Sequence, residues 1–222
     1  MIMFTHTTPK CILLCCALAL PWLWSFQDNA PILPPVSVSS FSYSILPGSR
    51  ISILGTTNIS EFTCFSDETS AIKAGAFLFN DVRSTIAFQQ TVLNLTTQSL
   101  ECGNKAMNHN LYETLNSEKF PFIVIDLRQV TSKNGSPLKL SSKTAMTAQV
   151  YISLAGVRRL NQINFTGEQT GSGTYHFTGS HDISFTDYNI DPPSAMFGLV
   201  KVSNRITVRF DLKVSANAEI LQ

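Results

Sequence analysis

The chain has 222 residues, a formal net charge of +1 and only 14% charged residues. That balance offers no basic surface for a phosphate backbone, which argues against nucleic acid as a partner. Beyond a short leader about 190 residues remain, enough for one domain with a substantial core.

The N-terminus reads as an export signal. Lys10 supplies the positive charge, and Cys11 to Leu20 form an apolar run too short to cross a bilayer comfortably. Residues 1–27 are assigned to this leader, with cleavage expected between Ser25 and Ala30. Lipid anchoring at Cys15 or Cys16 is the weaker alternative, because neither cysteine follows a small residue. The expected location is therefore the periplasm or outside the cell. No later apolar run approaches the length of a membrane span, which leaves contact with a membrane surface open.

Residues 28–49 read as an extended linker, carrying Pro31, Pro34, Pro35 and a serine-rich run. Within it Phe41, Tyr43 and Ile45 alternate with serine, as in an edge strand that ends at Pro47-Gly48. Residues 50–216 are read as one domain and 217–222 as a tail. Ile51, Ile53 and Ile59 mark its first strand, after which comes Cys64. Loss of the leader removes three cysteines and leaves Cys64 and Cys102, 38 residues apart. An even count in an oxidising compartment favours one disulfide, the alternative being two buried thiols.

Met107, Leu111 and Leu115 recur every four residues, which predicts a short helix. Asn110 and Glu113 have the spacing of a capping box, and Phe120-Pro121 should end the segment. Around that helix the two-residue period of strands dominates. Ile123, Ile125 and Leu127 share one face, as do Met146, Ala148, Val150, Ile152 and Leu154. Ile163 with Phe165, Tyr175 with Phe177, and Ile183 with Phe185 continue the pattern; Gly167, Gly171, Gly173 and Gly179 read as turn punctuation. The last strand sets Ile206, Val208, Phe210, Leu212 and Val214 against polar residues. Sequential antiparallel strands with one helix predict an all-β barrel or sandwich, and the strand lengths and 15 phenylalanines favour the barrel.

Chemistry is sparse. The chain carries no nucleophile elbow, phosphate-binding loop, zinc-protease pair or dinucleotide fingerprint, and nothing in it calls for a cofactor. His176 and His181 could approach across a hairpin to hold a metal, against the simpler reading of two exposed polar residues. Asp187 and Asp191 read as turn builders. The reading is of a non-enzyme without a catalytic or metal site; an enzyme would need Asp126, His176 or Asp187 to converge in one cleft.

The stretch from Cys102-Gly103-Asn104 through Leu111-Tyr112-Glu113 to Phe120-Pro121-Phe122-Ile123 resembles the YceI-like family of exported polyisoprenoid-binding proteins, in its cysteine-bearing branch. Leu54-Gly55-Thr56 to Cys64, Leu154-Ala155-Gly156-Val157, and Phe185-Thr186-Asp187-Tyr188 through Pro192-Pro193 to Lys201 agree in order, so the resemblance spans Arg50 to Val214. It implies an antiparallel eight-stranded lipocalin-like barrel that sequesters or carries a polyisoprenoid or quinone-like lipid. Where relatives carry a charged Arg-Asp-x-His-Leu, this chain has the neutral Met107-Asn108-His109-Asn110-Leu111, which weakens head-group recognition there. Ile123, Ile125, Ile152, Phe165, Phe177, Phe185 and Phe210 are the expected barrel lining. The alternative is an envelope module whose barrel is filled by side chains.

Overall fold

The computed structural model describes residues 37–66, 73–79 and 84–220. The leader and residues 28–36 of the linker lie outside the described residues. Five strands and a helix come first: β1 (Ser37–Ile45), β2 (Arg50–Thr56), β3 (Glu61–Ser66), β4 (Lys73–Phe79), β5 (Thr85–Thr96) and α1 (Lys105–Thr114). They are followed by β6 (Phe122–Ser132), β7 (Thr144–Leu154), β8 (Val157–Gly171), β9 (Thr174–Ser184), the short pair β10 (Ser194–Ala195) and β11 (Val200–Lys201), and β12 (Arg205–Ile220).

Hydrogen bonding runs in the order β1-β4-β5-β6-β7-β8-β9-β12, and β12 pairs back onto β1. The ring is therefore a closed antiparallel barrel of eight strands. β2 continues beside β12 where β1 leaves off: Ile45 pairs with Val214 and Arg50 with Asp211. β3 then folds back on β2, so the two halves of one long hairpin serve successive levels of the wall. Between β3 and β5 the wall is completed by Glu101, whose N–H and C=O exchange bonds with Phe65, both at 2.9 Å.

The two-residue period explains this closure. β7 alternates strictly between buried and half-buried residues from Met146 to Leu154, so its apolar set has a single face to offer the interior. Ala155 and Gly156, with φ of 48° and 82°, form the two-residue turn that returns β8 along β7 in register. β6 keeps its apolar face inward on both sides of an irregularity between Leu127 and Gln129, which brings Val130 back to the interior.

Several expectations change. Phe41, Tyr43 and Ile45 belong to β1, a wall strand held on both edges by β4 and β12, so the stretch read as linker enters the barrel from Ser37 on. The tail likewise enters it: β12 runs to Ile220, pairing with Ser39, because the closing seam needs both ends of the chain. Ile59 lies beyond β2 on an exposed turn. The helix begins earlier than its apolar spacing suggested. Asn104 is its N-cap, accepting the Met107 N–H at 2.9 Å, so Asn110 and Glu113 lie inside α1 instead of forming a capping box. It ends at Leu115, with Asn116 at a φ of 50°, before Phe120-Pro121 is reached.

Gly167 and Gly179 are not turn residues. Both sit inside strands, facing inward, where a Cβ would lie 2.5 Å from the Phe177 and Phe210 rings respectively. They are small because large rings cross the interior at that level.

Candidate functional site

The interior holds a cavity of about 740 Å³. A barrel filled by its own side chains would leave no such space; this volume is within the range of small-molecule sites. Its wall is almost wholly apolar and extends from Leu138 and Leu140 in the β6–β7 connection to Met107 and Leu111 of α1 and Leu115, which caps it. The helix thus lies across the end of the barrel where the β2–β3 turn, the β7–β8 turn and the β9–β12 connection also gather.

Ile123, Ile125, Ile152, Phe165, Phe177, Phe185 and Phe210 border the cavity. Ile152 and Phe185 are buried, whereas the other five keep intermediate exposure although they point inward. Their free surface is cavity surface. Phe165 is the hub of the aromatic level, with its centroid 6.0 Å from Phe177 and 6.4 Å from Phe210.

Cys64 and Cys102 form a disulfide. It ties β3 to the segment that leads into α1, alongside the Phe65–Glu101 bridge, so the helix is anchored covalently and by backbone pairing. Asn108 supplies a third tie that sequence reasoning missed. Its buried Oδ1 accepts the Cys102 N–H at 2.7 Å, while its Nδ2 donates to the Glu101 carboxylate. The side chain read as a neutral departure in the helix therefore serves the anchoring of the helix.

One polar group on the wall was also missed. His181 belongs to the inward row of β9 with Phe177, Gly179 and Ile183, and it lines the cavity. Its Nε2 lies 3.0 Å from Asn161 Oδ1, and Asn161 Nδ2 donates to the Tyr188 hydroxyl at 2.9 Å. Because Asn161 presents its oxygen, Nε2 is the donor of this pair. Burial pushes the His181 pKa below its ordinary value, against the weaker pull of Asp182. Burial also raises the Tyr188 hydroxyl, with the Asn161 bond opposing it. The signal for His181 was its odd number in a strand whose odd positions face inward.

The remaining candidates do not converge. His176 is on the same strand as His181 but faces outward, 2.8 Å from Asp211. Five residues apart on one strand, the two histidines project to opposite sides and cannot share a metal. Asp126 pairs with Arg158 at 2.5 Å, and Asp187 accepts Arg159 Nε through its backbone oxygen at 2.7 Å. Among the described residues no group of three or more His, Cys, Asp or Glu side chains could hold a metal.

No family model and no curated protein matches the sequence. Solved structures do. A polyisoprenoid-binding domain from Saccharophagus degradans, implicated in plant cell wall breakdown, superposes with a TM-score of 0.56 at 12% identity, covering 79% of this chain and 98% of its own. BcnA of Burkholderia cenocepacia superposes with a TM-score of 0.51 at 14% identity, over 74% of this chain and 95% of its own. At such identities the likeness is one of fold. The chain shares the fold of these two proteins, and in it that fold is an eight-stranded antiparallel barrel around an apolar interior.

Proposed function

We propose that the protein is an exported, non-catalytic carrier or store that holds one long apolar lipid, a polyisoprenoid or quinone-like chain, inside the barrel. The observation that carries this reading is the apolar cavity of about 740 Å³ running from the β6–β7 connection to α1. Water gains little from such a wall, whereas a hydrocarbon chain does: each buried methylene contributes about 0.8 kcal/mol. Ten such units contribute on the order of 8 kcal/mol before the cost of association, so affinity rests on length more than on any one contact.

Two further observations support the reading. The S. degradans domain of the same fold is a polyisoprenoid-binding protein. The Cys64–Cys102 disulfide suits an oxidising compartment, in line with the leader expected at residues 1–27. Ligand contact is assigned to Ile123, Ile125, Ile152, Phe165, Phe177, Phe185 and Phe210, with His181 as the polar point among them.

Organic extraction of the purified protein followed by mass spectrometry tests the proposal. The expected result is a stoichiometric long-chain lipid. A barrel that comes out empty and takes up neither a polyprenol nor a quinone would overturn it.

A further inference from the structure

The four most exposed large apolar side chains among the described residues are Phe197 at 109%, Leu199 at 72%, Ile59 at 70% and Met196 at 66%. They are not scattered. Ile59 stands on the β2–β3 turn and the other three on the β10–β11 turn, and Asn58 locks the two turns together. Its Nδ2 donates to Leu199 O at 2.9 Å, its Oδ1 accepts the Lys201 N–H at 2.8 Å, and its own N–H donates to Lys201 O at 3.1 Å.

The backbone of this tip is costly. Met196 and Phe197 adopt φ of 53° and 58°, ahead of Gly198 at 86°, a left-handed run that disfavours side chains with a Cβ. It projects Phe197 into solvent. The same two turns also border the cavity, since Thr57, Ser60, Ser194 and Val200 line it. An apolar tip therefore stands at the rim of an apolar hole, on the end of the barrel closed by α1.

We propose that this tip inserts into the surface of a lipid bilayer and seats the rim of the cavity against it, so that the cargo moves between bilayer and barrel without crossing water. The inference rests on the carrier reading above and names the membrane as its partner. A bilayer fits better than a protein groove for three reasons. The tip is a projection with its side chains splayed over two turns, which a soft medium accommodates. Residues 57–60 and 194–200 carry no charge, and the charged Glu61 and Lys201 come only at their inner edges. A long apolar cargo, finally, resides in bilayers.

Flotation of the processed protein with phosphatidylcholine vesicles is the test. Wild type should float, and replacing Phe197→Ser together with Leu199→Ser should lower partition at least about tenfold, each large apolar side chain being a substantial share of insertion energy. Leu160→Ser removes an exposed apolar side chain from the outer wall of β8 and should float as wild type does. Because Phe197 and Leu199 do not line the cavity, the tip variant should still take up a fluorescent polyprenyl probe delivered from ethanol, while transfer from vesicles slows. The proposal fails if wild type does not float, if the tip variant floats equally well, or if Leu160→Ser loses as much. It also fails if the tip mediates self-association in solution in place of vesicle binding. Tip-dependent flotation without uptake of the ethanol-delivered probe would uphold docking and overturn the carrier reading.

Discussion

Phe210 occupies the space that a side chain at Gly179 would need. A Cβ there would lie 2.5 Å from Phe210 Cζ and 2.8 Å from Phe165 Cβ, so two rings from β12 and β8 meet over a bare stretch of β9. Gly179→Ala should therefore displace both rings and destabilise the protein by about 1–3 kcal/mol, the usual result of overpacking. Denaturant unfolding with near-ultraviolet circular dichroism checks this, and an unchanged midpoint and aromatic signal would contradict it.

The disulfide closes a loop with a sequence separation of 38 residues. Loop-closure entropy puts its contribution at about 4 kcal/mol. Cys64→Ala with Cys102→Ala should lower unfolding stability toward that amount and loosen α1 first, since Cys102 is the last covalent tie before the helix. Hydrogen exchange along residues 105–114 reports the second effect; equal exchange in the oxidised and cysteine-free proteins would count against an anchoring role.

Asn108→Ala should cost about 1–3 kcal/mol, because the Cys102 N–H loses its buried acceptor. Asn108→Asp, which keeps an acceptor but sets a charge beside Glu101, should be no better than alanine. Stability equal to wild type in the alanine variant would show that water replaces the bond, and in the aspartate variant that the added charge beside Glu101 costs nothing.

Stability should fall on acidification in a way that His181 accounts for. Its folded pKa is lowered by burial, so as pH drops below the unfolded value of about 6.5 the unfolded chain takes up the proton first. The folded state is thus disfavoured progressively between that value and the lower folded pKa, and the loss levels off below it. His181→Gln, which retains a hydrogen-bonding group without the titration, should flatten this part of the pH–stability curve. An identical slope in the variant would assign the acid sensitivity elsewhere.

Much of the wall was legible in the amino-acid order because a strand with one apolar face must alternate. From Met146 to Leu154 and from Ile206 to Val214 the pattern alone picks out the inward rows, and with them Ile152 and Phe210. Where alternation was carried by small or polar residues, it misled. Gly167 and Gly179 resemble turn residues because the reason for their size, the rings of Phe177 and Phe210, lies on other strands. The ends of β1 and β12 were missed for a related cause: Ser39 and Ile220 gain their strand character from pairing with each other, a contact between opposite ends of the chain. Asn108 and the tip at Met196-Phe197 depend on tertiary placement in the same way. No local pattern distinguishes an asparagine that holds an amide 6 residues away from one facing solvent.

A ring placed in the empty part of the cavity should separate binding from folding. Ala148 is buried on the inward row of β7 between Val130 and Ile163, and it lines the cavity. Ala148→Phe therefore extends into unfilled space, and its cost to stability should stay near 1 kcal/mol.

Native mass spectrometry of wild type and Ala148→Phe is the most direct test of the central claim. Wild type should carry one long apolar lipid per barrel, released by organic solvent, and the variant should fold but carry a shorter chain or none. Wild type without lipid and unable to take one up, or both proteins loaded to the same extent with the same chain, would contradict the assignment of the barrel interior as a lipid site.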